Sequence, residues 1–369
     1  MLAMSVGRFA FTPMLPIMLS EGVLSISESG VLASVHFLGY AMGALSARWP
    51  WALSKVTLTM SLLAIGMSTV VLGLADAYWI WLISRWIAGL CSALVLVIVG
   101  TQFIRMLAEV SRTDLQGWVF AGVGGGIAVV GLVALLLMLA NSPSSQGWLF
   151  LGIATLIATV GIFALTRPMQ FTNAQALHRE RRDRSRRPWN LLIPYGAMGL
   201  GYIVPATYLP VMAQESVSSP ILFGWSWPIF GAAAALSTVF VVRLCIRFSN
   251  RQVWVASQLV TAVGLFVPAI SSHTMAVVFG GVCVGGTFMV ITMVGLREAL
   301  RIGGCSNAQF YVASMTAAFA LGQLIGPLLA GWTYDATGSF SYPLILGSLT
   351  LAVSLIPILR QPSPAEHPA

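Results

Sequence analysis

The sequence predicts an all-α polytopic membrane protein with twelve transmembrane helices in two pseudo-symmetric bundles of six. The first reason is composition: 57% of the 369 residues are hydrophobic, 8% are charged, and the mean hydropathy is +0.87. Soluble domains carry about 25% charged residues, so a water-soluble fold is excluded. The second reason is the distribution of basic residues between the apolar segments, and the third is an internal repeat.

Twelve apolar segments approach the length of roughly 20 residues that a helix needs to cross a bilayer. Each is bounded by charged or turn-forming residues, which mark the ends of a hydrophobic span. The spans are predicted at 1–20, 28–47, 56–75, 79–103, 117–140, 148–166, 190–213, 221–243, 252–271, 275–296, 310–331 and 341–359.

Basic residues predict the orientation of these spans. The loops after odd-numbered spans contain no lysine or arginine, whereas the other loops and the tail hold seventeen of the nineteen basic residues. Because cytoplasmic loops are enriched in Lys and Arg, we expect both termini to be cytoplasmic. The predicted parts are an N-terminal bundle at 1–166, a basic cytoplasmic linker at 167–189, a C-terminal bundle at 190–359 and a cytoplasmic tail at 360–369.

An internal repeat relates the two predicted bundles. Residues 7–18 (GRFAFTPMLPIM) are similar to residues 201–212 (GYIVPATYLPVM), at an offset of 194. Gly89-Leu90-Cys91 in the fourth span is echoed by Gly281-Val282-Cys283 in the tenth. Six spans separate each pair, so both copies have the same orientation. Parallel repeats are a known plan of secondary transporters, which place the solute near the midplane between the two repeats.

Two arginines, Arg8 and Arg85, lie within predicted spans, whereas all eleven acidic residues map to loops or span ends. A charge at the bilayer centre costs at least about 2.5–3.5 kcal/mol on insertion scales, so both arginines are functional candidates. Arg8 matches Tyr202 in the repeat, and its guanidinium suits capture of a carboxylate. Alternatively, Arg8 caps carbonyls freed by Pro13 or bonds to neighbouring helices. Arg85 either reaches Glu28 or belongs to a proton path.

The remaining candidates for the solute site are polar or aromatic. His36 is the one histidine within a predicted span, and an ordinary histidine titrates near neutral pH, so His36 is either a proton carrier or a buried structural group. Tyr40 lies one helical turn further on the same face. The other residues predicted to line the site are Thr12, Tyr202, Tyr208, Trp227 and Gln323.

Several motifs carry a family resemblance. They are Gly7-Arg8-Phe9 with Thr12-Pro13-x-Leu15-Pro16, Tyr195-Gly196 with Gly201-Tyr202 and Leu209-Pro210, Arg85-x-x-x-Gly89, and Gly322-Gln323-x-x-Gly326-Pro327. Across nearly its whole length the chain resembles the major facilitator superfamily, and within it the uncharacterised bacterial YbfB/YjiJ-like branch. The resemblance implies the major facilitator fold and transport by alternating access. It also implies coupling or gating roles for Arg85, Gly89, Gly326 and Pro327.

One family motif is altered. The loop after the second helix of the family usually reads Gly-x-x-x-Asp-Arg-x-Gly, and here Ala47 replaces the aspartate and Pro50 the last glycine, while Arg48 is kept. In the family this loop is associated with gating. We therefore expect a gating role for Arg48 and a different or weaker latch in this chain.

These observations favour a secondary active or facilitative transporter of a small solute, with an organic anion indicated by the two arginines. The alternative is a proton-linked exporter of hydrophobic or cationic compounds. The chain cannot be a P-loop ATPase, because its single lysine, Lys55, does not lie in a Gly-Lys-Ser/Thr motif. The four histidines fall in different segments, which argues against an enzyme. We expect no cofactor, no metal and no nucleic acid, a coupling proton or sodium ion, contact with membrane lipids, and a monomer.

Overall fold

A computed structural model describes residues 2–112, 115–168, 189–217 and 219–359. Most of the predicted linker, including its arginine-rich core, and the predicted tail lie outside the described residues. Within the described ranges the chain is helical and forms no strand. The all-α prediction is therefore confirmed.

Eleven helices in the described part of the chain are long and apolar enough to cross a membrane. A shorter helix precedes them, so that the numbering α1 to α12 follows the order of the predicted spans. The helices are α1 Phe11–Ser20, α2 Ile26–Ser46, α3 Lys55–Leu74, α4 Tyr78–Glu109, α5 Gln116–Leu139, α6 Ser144–Thr166, α7 Trp189–Ser216, α8 Pro220–Arg247, α9 Asn250–Ile270, α10 Thr274–Gly303, α11 Asn307–Thr337 and α12 Ser341–Leu359.

The predicted first span is not a uniform helix. A π-helical turn at Ala3–Arg8 precedes α1, and the N–H of Phe9 donates to the carbonyl of Met4 at 3.1 Å. Pro13 explains the break, because proline lacks an N–H and its ring clashes with the carbonyl four residues earlier, that of Phe9. With ten residues α1 is too short to cross a bilayer by itself. A membrane crossing at the first predicted span, and with it the total of twelve, therefore stays a prediction.

Several helices continue past their predicted ends. The fourth extends to Glu109, the eighth to Arg247 and the tenth to Gly303. Charged residues end an apolar run without ending a helix, because long side chains reach water from a helix terminus. Glu298, predicted to follow the tenth span, is a buried residue of α10. Its carboxylate pairs with Arg251 at 3.1 Å and with Arg301 at 2.6 Å.

Glycines allow α2 and α4 to approach each other closely. A Cβ placed on Gly39 would lie 2.1 Å from the Trp86 carbonyl oxygen, and one on Gly43 would lie 2.2 Å from that of Leu90. On the facing helix, a Cβ on Gly89 would lie 1.9 Å from the His36 carbonyl oxygen. Helices in lipid associate through such small residues. Gly89 is therefore a packing residue in this structure.

The most extensive contacts between the first half (residues 2–168) and the second half (residues 189–359) are made by three helix pairs. Helices α1 and α7 are linked by Thr12 Oγ1, which donates to the Ala206 carbonyl at 2.6 Å. Helices α5 and α8 meet at Gly124 and Gly231, where a Cβ on either residue would lie 2.7 Å from the carbonyl oxygen of the other. Helices α2 and α11 form the third pair, and Ser34 Oγ donates to the Leu324 carbonyl at 2.9 Å.

Structural counterparts of the repeat appear at the predicted outer ends of the helices. Asn141 (φ 49°) and Gly338 (φ 66°) both adopt the left-handed conformation, and the next helix starts three residues later in each case. Glu21 and Glu215 are 194 residues apart, and each lies at or near the end of its helix, α1 or α7. The Glu21 carboxylate accepts from the N–H and the hydroxyl of Ser144, the first residue of α6. The Glu215 carboxylate accepts from the Tyr334 hydroxyl instead.

Candidate functional site

Arg8 is the centre of the candidate site. The residue ends the π-helical turn, is 4% exposed, and donates a hydrogen bond to the hydroxyl of Tyr202 in α7. Both halves of the chain thus contribute to its surroundings. Five aromatic rings surround the guanidinium carbon, at centroid distances of 4.8 Å (Phe9), 5.5 Å (Phe37), 5.1 Å (Tyr40), 5.8 Å (Tyr202) and 5.4 Å (Phe319).

The rings of the second half form a stack behind Tyr202. Tyr202 lies between Phe288 (5.5 Å, 6° between planes) and Phe319 (5.3 Å, 14°). Phe288 continues the stack to Phe230 at 5.3 Å, and Phe230 stacks on Trp227 at 4.7 Å. Phe9 of the first half closes the group from the other side, 5.7 Å from Phe288 and 6.2 Å from Trp227. The centre of the molecule is therefore filled by aromatic side chains. We call Phe9, Tyr202, Trp227, Phe230, Phe288 and Phe319 the central aromatic cluster.

Polar atoms without a partner are concentrated at the same place. Gln323 of α11 donates to the Tyr202 hydroxyl through Nε2. Its Oε1, the Nε of Arg8, the Nε2 of His36 and the Nε1 of Trp227 are buried and form no hydrogen bond. A buried polar group left unsatisfied costs about 1–3 kcal/mol. Such groups, contributed by both halves, mark a place where a bound molecule with polar atoms would be stabilised.

Arg85 and His36 fix the helices beside Arg8. The carbonyl oxygen of Arg85 accepts a hydrogen bond from His36 Nδ1 at 3.1 Å, so Nδ1 carries the hydrogen. The Arg85 guanidinium donates to the Gly7 carbonyl at 3.1 Å. The pair of Arg85 with Glu28, one of the two alternatives that the sequence left open, does not form; Glu28 instead closes a capping box with Ser25 at the start of α2. Arg85 therefore joins the π-helical turn, α2 and α4.

The central region is positively charged. Arg8 and Arg85 are both buried, and neither forms an ion pair with a carboxylate among the described residues. The acidic side chains in the described part of the chain lie in loops, in terminal turns of helices or, for Glu298, close to the end of α10. They are Glu21, Glu28, Asp76, Glu109, Glu215, Glu298 and Asp335.

Other predicted site residues take different places. Thr12 lies one turn from Arg8 and bonds to Ala206. Tyr208 lies away from Arg8: its ring packs on Phe340 at 5.0 Å and its hydroxyl donates to the Pro327 carbonyl at 3.4 Å. Gly326 is a packing position, where a Cβ would lie 2.1 Å from a methyl carbon of Ile203.

The predicted cytoplasmic ends of α2 and α11 are tied by side chains. Arg48 donates to the Ser314 hydroxyl at 3.2 Å, and its guanidinium carbon lies 5.2 Å from the centroid of the Phe310 ring. The side-chain amide of Gln309 donates to two carbonyl oxygens just past the end of α2, those of Ala47 at 2.7 Å and Trp49 at 3.0 Å. The altered loop is thus held to α11 through its backbone, close to where the family has an aspartate.

Sequence reasoning predicted Tyr40 and Tyr202 but missed the phenylalanines around Arg8. Phe9 and Phe37 directly follow Arg8 and His36 in the chain, and Phe319 precedes Gln323 by four residues on one helical face. These three positions could have been found from their neighbours. Phe288 and Gln309 carry no comparable local signal, because their contacts depend on how α10 and α11 pack against the other helices.

Long apolar helices that contact one another through glycines define a polytopic membrane protein, and several of these helices meet around the buried Arg8. The family model described as "Uncharacterised MFS-type transporter YbfB" matches residues 1–359. The chain therefore belongs to this family of major facilitator transporters, and the resemblance seen in the motifs is confirmed. Membership makes the chain a multi-span protein of transmembrane transport and implies a small-molecule solute. No curated protein matches the chain.

Proposed function

We propose that the protein is a secondary active or facilitative transporter that moves a small organic anion across the bacterial inner membrane. The observation that carries this proposal is Arg8, a guanidinium buried between the two halves without a carboxylate partner among the described residues. A guanidinium is a strong, geometrically specific donor to carboxylates. In a water-excluded site its positive charge attracts an anion far more strongly than it would in water.

The packing around Arg8 supports alternating access. Arg8, Tyr202 and Gln323 are all buried, so the site is closed to solvent in this structure. Contacts between α2 and α11 continue from Ser27 and Gly331 at one end to Ala47 and Gln309 at the other. A solute therefore reaches Arg8 only when these helices separate at one end. Rocking of two six-helix bundles with cytoplasmic termini would open each end in turn.

The position of His36 supports coupling to protons. The His36 ring is bonded to the Arg85 carbonyl and lies beside Tyr40, which also contacts the Arg8 guanidinium, so a proton on His36 would add a third positive charge to this region. A carboxylate bound at Arg8 supplies a negative charge that offsets this repulsion. Binding of the anion and binding of the proton then favour each other, and the coupling is reciprocal. Under this proposal the anion and one proton cross together.

The aromatic rings give one argument for the alternative, a proton-linked exporter of hydrophobic or cationic compounds, since such rings bind cations through their faces. Here the faces are already occupied by the Arg8 guanidinium. A cationic solute would have to displace or repel that group. The organic anion is therefore favoured.

Ligand-induced thermal stabilisation of the purified full-length protein tests the proposal, because a ligand that binds the folded state raises its apparent stability. The panel contains carboxylates, sugars, amino acids and lipophilic cations. We expect stabilisation by carboxylates, its loss in Arg8→Ala and its retention in Arg247→Ala, which removes an exposed arginine at the end of α8. Stabilisation by lipophilic cations that is equal in all three proteins would overturn the anion proposal.

A further inference from the structure

The Arg8 guanidinium, which would bind an anion, is surrounded by aromatic rings. These rings determine which other chemical groups a solute needs in order to bind. The rings divide between the halves of the chain. Phe9 belongs to the first half, whereas Tyr202, Phe288 and Phe319 belong to α7, α10 and α11 of the second half. Phe9 contacts Phe288 edge to face at 5.7 Å, and the Arg8 guanidinium lies 5.4 Å from the Phe319 ring centroid. Separation of the halves breaks these contacts first.

Separation leaves the stack of Tyr202, Phe288 and Phe319 intact, because all three rings belong to the second half, and it uncovers the apolar side of this stack that faces Phe9 and Arg8. Tyr202, Phe288 and Phe319 are stacked nearly parallel, with interplanar angles of 6° and 14°. All three are at most 3% exposed in the closed protein. Aromatic rings prefer offset-stacked or edge-to-face neighbours, and such pairs stabilise beyond the area that they bury. An aromatic ring of the solute, inserted between the halves, would form such contacts with Phe288 and Phe319. A saturated ring of equal size would bury the same apolar area without forming them.

The unpartnered polar atoms lie at the edge of the same enclosure. Arg8 Nε and Trp227 Nε1 are buried donors without acceptors. Phe9 lies between them in the packing, since its ring contacts both the Arg8 guanidinium and the Trp227 ring. An acidic group on the ligand would accept from Arg8, whereas the Trp227 donor lies on the far side of the Phe9 ring. A ligand that satisfies both features has a carboxylate attached to, or close to, an aromatic ring.

We infer that the solute is an aromatic carboxylate, bound with its acidic group at Arg8 and its ring against the central aromatic cluster. This inference rests on the proposed anion transport and narrows its substrate class. The aromatic cluster is the specificity-determining element, and Phe288 and Phe319 are its leading members.

Binding of four small probes to the purified full-length protein tests the inference. Benzoate and cyclohexanecarboxylate share the acidic group and similar size but differ in aromaticity. Acetate lacks the ring body, and benzamide has the ring without the charge. We expect benzoate to bind about tenfold more tightly than cyclohexanecarboxylate, which corresponds to the gain from one or two aromatic contacts. We also expect acetate and benzamide to bind weakest.

Two variants and a matched control locate the effect. Phe288→Leu and Phe319→Leu should lower the benzoate preference to about twofold or less, while the affinity for cyclohexanecarboxylate changes little. Phe150→Leu makes the same chemical change at an exposed position of α6 and should keep the tenfold preference. The wild-type comparison of probes needs no variant, so misfolding of either leucine variant does not remove the test.

The outcomes separate this inference from the proposed function. Equal binding of benzoate and cyclohexanecarboxylate to the wild-type protein would overturn the aromatic specificity and leave anion transport standing. A benzoate preference that both leucine variants preserve would overturn the assignment to the central aromatic cluster. Equal binding of benzamide and benzoate, unchanged in Arg8→Ala, would overturn the proposed anion function itself and the inference that rests on it.

Discussion

Thr12 and Ala206 are 194 residues apart in the chain and are joined by a 2.6 Å hydrogen bond between the threonine hydroxyl and the alanine carbonyl. The spacing equals the offset between the two copies of the sequence repeat. Arg8 and Tyr202 share both the spacing and a direct hydrogen bond. Equivalent residues meet in this way when an axis relating the two copies passes between them. The solute site proposed above lies at that contact.

Tyr202→Phe tests whether the tyrosine hydroxyl holds the closed site together. The substitution keeps the ring stack but removes the oxygen that accepts from both Arg8 and Gln323. Because two buried donors then lack an acceptor, we expect a loss of about 1–3 kcal/mol of stability. The measurement is the unfolding temperature in detergent. Tyr342→Phe removes an exposed hydroxyl and should change nothing; an equal effect in the two variants would contradict the role of Tyr202.

His36→Gln tests the proton coupling. A glutamine side chain is able to donate to the Arg85 carbonyl, as His36 Nδ1 does, but takes up no proton near neutral pH. If His36 carries the coupled proton, solute-driven proton uptake into proteoliposomes should disappear, and the rate should lose its dependence on pH. Solute counterflow, which needs no net proton movement, should persist. An unchanged pH profile would make His36 a structural residue.

Gln309→Ala tests the contact that joins the predicted cytoplasmic ends of α2 and α11. The variant removes the amide that donates to the Ala47 and Trp49 carbonyls, so we expect the predicted cytoplasmic ends of α2 and α11 to separate more often. Spin labels at two exposed positions report that opening: Trp51 follows α2 in the first half, and Phe248 follows α8 in the second half. We expect the distance between the labels to have a longer mean and a broader distribution. Gln146→Ala, at an exposed position in the first turn of α6, is the matched control. Identical distributions in the wild type and Gln309→Ala would show that other contacts hold these ends together.

Gly89→Ala tests the close contact of α4 with α2. The new methyl group would lie 1.9 Å from the His36 carbonyl oxygen, so the helices must move apart. We expect a loss of about 1–3 kcal/mol, typical of overpacking. Gly161→Ala in α6 meets no neighbouring atom within 4 Å and should keep or slightly raise stability, since alanine favours the helix. Equal stability of the two variants would contradict the close approach of these helices.

The sequence predicted helix positions well because each apolar run carries its own signal. Eleven of the twelve predicted spans correspond to helices that are long enough to cross a membrane. Arg8, His36, Tyr40, Tyr202, Trp227 and Gln323 were predicted individually, and the structure places them in or beside one central group. Each is a polar or amphipathic residue that is costly inside a bilayer, and such residues stand out in a sequence.

The rest depended on packing that the sequence does not encode locally. A phenylalanine in an apolar helix gives no sign of the direction that it faces, so Phe288 could not be distinguished from the exposed Phe279 of the same helix. The π-helical turn before α1 has no signal of its own in the sequence, because hydrophobic residues continue on both sides of Arg8. Tyr208 was placed in the site on its residue type, whereas its position along α7 takes it towards Phe340.

The two carboxylates at the predicted outer ends of α1 and α7 are spaced like the sequence repeat but make different contacts. Glu21 accepts from the first residue of α6, whereas Glu215 accepts from Tyr334. Beside Glu215, a groove of about 800 Å³ opens towards Ser339 and Ser341 at the start of α12. In a dimer of two identical six-helix subunits, the two equivalent glutamates would have to make the same contact. A single chain that carries both copies has no such constraint, so the two equivalent ends are free to be held by different partners.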